Sequence, residues 1–296
     1  MRIVCQVNVG IRGKKLKSLE DYIIYLKMTP LFLIQIFVFL LGLSIGSFLN
    51  SIIYRLEHNE KLWGRSFCPF CKQILKWYDL IPVVSFLLLK GRCRYCRKKI
   101  SLQYPLVEGV SGFLFLVIFN HFYPSFFKIL FLFYIVSSLL IIFVYDLRHY
   151  IIPDKILFPA IILVFLFRAL DILFDWKESS FYFNFDPFLL RELVIAVLSA
   201  FLFFFFLFAV SKGKWMGFGD VKLSILISLL LGFTHFLVAI FLAFLLGSII
   251  GIALVAIGGK KKLTSQIPFA PFLVTGTLLA IFWAEDFIKW YLNLIS

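Results

Sequence analysis

The chain has 296 residues, of which 62% are hydrophobic, and a formal net charge of +14, with a mean hydropathy of +0.98. That apolar share excludes a soluble domain of this length, whose surface needs far more polar side chains. The apolar runs lack two-residue alternation, which disfavours a transmembrane β-barrel and leaves a bundle of spanning helices, each of roughly 20 residues.

Residues 1–27 carry Arg2, Arg12, Lys14, Lys15, Lys17 and Lys27. No apolar core of the signal-peptide kind precedes Lys27, and translation is expected to begin at Met28. A first span is predicted over 31–50. The loop that follows, 51–104, holds eleven Lys and Arg against three acidic residues, and flanking Lys and Arg are retained on the cytoplasmic side, so this loop is assigned inside. Alternation then places 146–155, 211–222 and 258–266 inside as well, each with its own basic residues. The outer connections are poor in Lys and Arg, with Lys177 and Lys289 the main exceptions. The discordant piece is the basic tail before the first span, which alternation puts outside. The net charge therefore reads as contact with anionic membrane lipids, not with nucleic acid.

Within the basic loop stand Cys68-Pro-Phe-Cys71 and Cys93-Arg-Tyr-Cys96. Two CxxC pairs at this spacing form the ligand set of a zinc ribbon or knuckle, four thiolates closing a tetrahedral Zn²⁺ shell. Lys72, Arg92, Arg94 and Arg97 favour the thiolates and offset the charge of the centre. The competing reading is two disulfides, which a reducing cytoplasmic location disfavours. With Trp77, Tyr78, Leu80, Ile81 and Val83 as its few apolar anchors, the loop is marginal as an independent core, so a zinc with four protein ligands is structural here. Cys5 has no pattern.

Further spans are predicted over 105–122, 126–145, 156–174, 188–210, 221–233, 236–257 and 267–285. That makes eight, or seven if the short 221–233 segment merges with its neighbour. Glu108, just inside the second span, is a buried structural acid or a site member. Arg168 and Asp171, three apart on the fourth span, are expected to pair. The run Phe201 to Phe208 reads as lipid-facing bulk. His58, His121, His149 and His235 show no ligand spacing.

Acidic residues at span ends are costly and need a reason. Asp146 ends the third span and Asp220 opens the sixth. Two crossings separate them, so both sit at the same, cytoplasmic, face. Two carboxylates converging in a partly desolvated place cannot both ionise cheaply and share a proton. The ionised one can take a proton from an attacking water while the other hydrogen-bonds the scissile carbonyl. Gly217 and Gly219 remove side chains beside Asp220 and let an extended backbone approach. The structural alternative makes Asp146 a helix end paired with Arg148 or His149, and Asp220 an N-cap near Lys222. Asp154, after Pro153, reads as an N-cap. A proton- or ion-coupled transporter would use Asp146, Arg168, Asp171 and Asp220 as a relay, but the key aspartates lie at span ends and not at midplane. A zinc-bearing pilus-assembly scaffold without catalysis is the third possibility.

Several segments in fixed order resemble the type IV prepilin peptidases, GxGD membrane aspartic proteases of family A24. They are Gly46-Ser47-Phe48-Leu49-Asn50 with Tyr54-Arg55-Leu56, the four cysteines, Tyr104-Pro105-Leu106-Val107-Glu108, Asp146 with Ile152-Pro153-Asp154, Gly217-Phe218-Gly219-Asp220-Val221-Lys222-Leu223, and Ile267-Pro268-Phe269-Ala270-Pro271-Phe272. The resemblance implies removal of the basic leader of prepilins or pseudopilins after a glycine at the cytoplasmic membrane face, with Asp146 and Asp220 as the catalytic pair. It also implies N-methylation of the new terminus with S-adenosylmethionine, since the cysteine loop is retained, and a place in type IV pilus or type II secretion systems of a bacterial inner membrane. Ala270 departs from the glycine frequent in the last motif. The expected fold is an all-α polytopic membrane protein with a small zinc-ribbon-like loop. Its parts are an extension 1–27, a first helix with the zinc loop over 28–104, and a peptidase domain over 105–296.

Overall fold

The computed structural model describes residues 19–174, 189–214, 216–258 and 267–295, with side chains described from Leu31 onward except at 171–174, 189–190, 255 and 258. Most of the basic tail, and so the expectation about Met28, lies outside the described residues, as does the connection 175–188. Helix α1 runs over Leu19–Glu57 and α2, one short turn in the loop, over Val84–Leu88. Then come α3 (Gln103–Phe122), α4 (Phe126–His149), α5 (Asp154–Phe174), α6 (Leu189–Ser211), α7 (Phe218–Leu231), α8 (Phe233–Gly258) and α9 (Ala270–Ile295). Each of the eight predicted apolar segments falls mainly on a helix, and among the described residues there is no strand, only two isolated bridges in the loop.

Among the described residues six helices, against the eight spans predicted, are long and apolar enough to cross a membrane by length and composition: α1, α3, α4, α6, α8 and α9. Helix α7 differs. Its 14 residues rise about 21 Å, short of a hydrocarbon core of about 30 Å. It ends where Gly232 takes a positive φ of 75°, the left-handed backbone that stops a helix, and α8 restarts at once. Its apolar residues point all ways and nearly all are buried, which fits a helix enclosed by α5, α6, α8 and α9.

Helix α4 is the axis of the bundle: 72% of its apolar window is enclosed, against 17% for α6 and α8. The run Phe201 to Phe208 on α6 is mostly turned outward as expected, but Phe204 is fully buried. Helices α1 and α3 pack backbone to backbone. A Cβ on Gly42 would lie 2.8 Å from Gly112 Cα, and one on Gly46 2.7 Å from Glu108 Cα. Small residues four apart thus provide the close approach that lipid, offering no hydrophobic drive, does not. Gly276 does the same for α9 against Ala239 of α8.

Candidate active site and metal centre

Asp146 lies in the last turn of α4 and Asp220 in the first turn of α7, and both are buried, at 5% and 7% exposure. Helix α4 stops because Tyr150 adopts a left-handed φ of 58° and its N–H returns to the Asp146 carbonyl at 2.9 Å. A bulky residue there is strained by roughly 1 kcal/mol, and the strain fixes the chain four residues past the aspartate. The two carboxylates are close enough that the charge of Asp146 acts on Asp220. This agrees with the prediction that an even number of crossings returns the chain to one face.

The purely structural alternative loses its partners. Arg148 and His149 both turn to Glu57 at the end of α1, at 2.9 and 3.2 Å. Lys222 turns to Asp154, at 2.9 Å to each carboxylate oxygen. Among the described residues neither Asp146 nor Asp220 has a salt-bridge partner. Asp220 is not an N-cap: it sits three residues past Gly217, and its carboxylate reaches back to accept the Gly217 N–H at 3.2 Å. The backbone N–H of Ala270, first residue of α9, faces the Asp146 carboxylate. Two helix N-termini, α7 and α9, therefore direct their positive ends at the pair.

Asp154 is likewise not the N-cap. The Pro153 carbonyl accepts from both Ile156 and Leu157, so Asp154 already lies inside α5 and its carboxylate is free to bind Lys222. At the other end of the same helix, Arg168 donates to the carbonyls of Leu229 and Leu230 at 3.0 and 2.6 Å. Those are orphan carbonyls of the last turn of α7, and a buried guanidinium satisfies two at once. Helix α5 thus grips α7 at both ends and sets the height of Asp220. The Asp171 side chain, expected to pair with Arg168, lies outside the described side chains.

The two glycines differ. A Cβ on Gly219 would meet three atoms of Ile152 at 3.2–3.3 Å, whereas one on Gly217 would meet nothing nearer than 3.8 Å. Gly219 is therefore filled from within the protein, by the α4–α5 connection, and only Gly217 leaves room beside the aspartates.

The loop forms the same turn twice. Cys68 N–H bonds the Gln73 carbonyl and Cys93 N–H the Lys98 carbonyl, both at 2.9 Å, with Lys72 and Arg97 N–H closing back on Cys68 and Cys93. Lys72 and Arg97 carry positive φ of 55° and 58°, where glycine would be unstrained. The four Sγ atoms lie within 4.8 Å of one another, and all four cysteines are free. Cys68 comes down to about 7: burial opposes its thiolate, but backbone N–H groups of Cys71 and Phe70 outweigh it. Cys96 goes up to about 11, because burial and the hydrogen bonds it makes to Cys93, Cys71 and Cys68 outweigh the backbone of Lys98. Four thiols sharing protons around one point suit a divalent soft cation in their place, and the set matches zinc.

Trp77, expected as an apolar anchor of the loop, is 77% exposed. The loop is tied instead by polar contacts. Asp79 accepts from Arg94 at 2.7 Å and from Tyr95 at 3.0 Å, and buried Arg55 donates to the Lys61 and Arg65 carbonyls. Glu108, buried on α3, accepts the N–H of Val83 at 2.7 Å, a β-branched residue at φ 60°. Glu108 thus pins the loop to the bundle. It lines a cavity under the loop that the aspartates do not line. Sequence reasoning missed Ile152, the Asp154–Lys222 tie, the reach of Arg168 to α7, and this cavity; each depends on residues distant in the chain.

Residues 40–122 match the model of the bacterial peptidase A24 N-terminal domain and 132–252 that of the type IV leader peptidase family. A Bacillus subtilis protein named prepilin leader peptidase/N-methyltransferase is 31% identical over 261 residues, covering 87% of this chain and 97% of its own. Relatives of the same name from Aeromonas salmonicida and Legionella pneumophila are 30% and 29% identical, covering 87% and 86% of this chain and 94% and 93% of their own lengths. No solved structure matches.

Proposed function

The chain belongs to the type IV leader peptidase family and is a multi-pass membrane enzyme of the prepilin leader peptidase/N-methyltransferase kind, and from that premise we propose that Asp146 and Asp220 are its catalytic pair. The observation that carries the reading is that the charge of one buried carboxylate bears on the other while, among the described residues, the cations next to them in sequence are engaged elsewhere. Arg148 and His149 are held by Glu57, and Lys222 by Asp154. Nothing then neutralises the pair except a proton shared between them, the state an aspartic protease needs.

The ionised aspartate takes a proton from water as the water attacks the scissile carbonyl. The protonated one hydrogen-bonds the carbonyl oxygen and then gives its proton to the leaving amine. The N-termini of α7 and α9 favour the negative charge that develops there. Gly217 leaves space for the extended substrate strand, while Gly219 lets α7 close on Ile152. A prepilin is a hydrophobic helix with a basic leader, so its scissile bond, after a glycine, comes to the lipid boundary, where this pair sits. The pair and the loop face the cytoplasm across a bacterial inner membrane, as the eleven Lys and Arg of 51–104 favour.

Cys68, Cys71, Cys93 and Cys96 hold zinc. With four protein ligands the metal leaves no open position for water and serves to fold the loop. S-adenosylmethionine supplies the methyl group for the new N-terminus. The test is cleavage of a synthetic prepilin in nanodiscs by wild type, Asp146→Asn and Asp220→Asn, with product mass read. Each variant is expected to lose cleavage by about 10²-fold or more; retained cleavage in either overturns the pair.

A further inference from the structure

Ten consecutive residues of the charged loop, Leu80-Ile81-Pro82-Val83-Val84-Ser85-Phe86-Leu87-Leu88-Leu89, carry no charge. An uncharged apolar run of this length is either part of a core or a segment that enters the membrane interface without crossing. It is not core: no residue of α2 is buried, and Ile81, Val84, Leu87 and Leu88 are exposed, Leu88 at 78%. Val84, Leu87 and Leu88, three and four apart, share one face of α2, while Ser85, Phe86 and Leu89 line the cavity on the loop's inner side. We infer that 80–89 is a re-entrant segment whose outer face lies in lipid, at the boundary between headgroups and acyl chains. The inference rests on the membrane bundle alone and not on the catalytic pair.

Both ends of the segment are tied to the start of α3. Val83 N–H donates to Glu108 at 2.7 Å, and Ile100 N–H, just before the N-cap Leu102, donates to the Gly91 carbonyl at 2.8 Å. Helix α3 is a candidate span of 20 residues, about 30 Å long and so as thick as the hydrocarbon core. Glu108 lies in its second turn, roughly 7 Å along the axis from Gln103, and helical side chains lean back toward the N-terminus. The segment therefore starts level with the first two turns of the span and rises to the level of Ile100. Leu102, Leu106, Val110 and Phe113, exposed along one stripe of α3, offer an apolar surface to lipid in the same layer.

The surroundings suit that depth. Backbone groups in lipid need internal partners, and the segment supplies them: Ser85, Leu87 and Leu89 N–H donate to the Ile81, Val83 and Ser85 carbonyls, each at 3.0 Å, and Gly91 N–H to Phe86 at 2.9 Å. Pro82 has no N–H to satisfy. Trp77, 77% exposed, stands just before the segment, with Lys76 beside it and exposed Lys90 and Arg92 at the other end. Asp79, the acid between Trp77 and the segment, is neutralised by Arg94 at 2.7 Å. A Trp ring and net positive charge at the segment's ends are complementary to the headgroup layer, where anionic lipid attracts Lys and Arg and indole rings sit by preference. The exposure of Trp77, which the packing of the loop leaves unexplained, follows from the same placement.

The decisive experiment is photo-cross-linking of the zinc-loaded full chain in nanodiscs, with a benzophenone-bearing residue substituted at one position at a time and the adducts identified by mass. The positions are Leu88, on the outer face of the segment; Ser85, on its inner face; Leu106, on the exposed stripe of α3; and Arg97. The last stands at the tip of the hairpin that leads away from α3 through the pairs Gly91–Ile100 and Arg92–Lys99. Leu88 is expected to give lipid adducts at a yield close to that from Leu106 and several-fold above those from Arg97 and Ser85. Zinc content, measured on each variant, reports whether the loop has folded. A Leu88 position that labels lipid no more than Arg97 does, with zinc retained, would put the segment clear of the membrane and overturn the inference. Adducts from Leu88 to a second copy of the chain or to added prepilin, in place of lipid, would overturn it too and make this face a protein-docking surface.

Discussion

Gly217→Ala and Gly219→Ala add the same methyl group on either side of Phe218 and should fail in different ways. At Gly219 the new Cβ meets Ile152 Cβ at 3.2 Å and its Cγ1 and Cδ1 at 3.3 Å, tighter than ordinary contact, so α7 must shift a few tenths of an ångström away from the α4–α5 connection. Overpacking of this degree costs about 1–2 kcal/mol. Because Asp220 is the next residue, the shift moves one carboxylate relative to the other. Expressed in the transition state, that strain lowers kcat by about 5- to 30-fold. At Gly217 the backbone, φ −75° and ψ 155°, is open to any residue and nothing lies within 3.8 Å. Folding should not notice, and the loss should appear in KM, where the substrate strand meets the methyl. The assay is steady-state cleavage of a synthetic prepilin in nanodiscs, with thermal unfolding run in parallel. Adding Ile152→Val, which removes Cδ1, should recover part of the Gly219→Ala loss and none of the Gly217→Ala loss. A Gly219→Ala enzyme with wild-type kcat, or equal rescue of both, would refute the reasoning.

Arg168→Met strands two buried carbonyls of α7 and should lower stability by about 3 kcal/mol, with Arg168→Lys, a single-point donor, recovering only part; an unchanged unfolding midpoint would contradict the grip of α5 on α7. Cys71→Ser should lose stoichiometric zinc by elemental analysis and leave the loop open to limited proteolysis, whereas a protein that stays protected without metal would make the zinc dispensable. Asp79 supplies a pH test. Burial opposes its ionised form, but Arg94, the Lys76 backbone and Tyr95 outweigh that and hold its carboxyl below the ordinary 3.8. A depressed folded pKa gives stability above the unfolded value and loses it as pH falls through the folded one. The stability gap between wild type and Asp79→Asn should therefore be constant above about pH 5 and close progressively below about pH 4. A gap that widens on acidification would show the sign to be wrong. Gly46→Leu should separate α1 from α3, read as lost zinc-loop protection together with a lower unfolding temperature, because its Cβ would strike backbone at Glu108.

Much of this protein is legible without coordinates, since lipid imposes one rule on every segment: apolar runs must be helices. Each of the eight predicted runs falls mainly on a helix for that reason. The four cysteines and the GxGD segment could be read because ligand type and spacing are local properties, and the common face of Asp146 and Asp220 because crossings can be counted. Counting could not say what each charge faces. Arg148, His149 and Lys222 lie beside the aspartates in sequence and were natural partners for them, yet all three turn to carboxylates 68 to 92 residues away. Arg168 also reaches the end of a helix 61 residues on, a partner that no local spacing announces. Gly219 reads like Gly217 in the chain, and only the packing of Ile152 distinguishes them. Sequence fixes where polar groups can be afforded in a membrane, at helix ends and in one charged loop. Which of those groups satisfy one another is decided by the angles and heights at which the helices pack, and among the described residues these leave Asp146 and Asp220 without a salt-bridge partner.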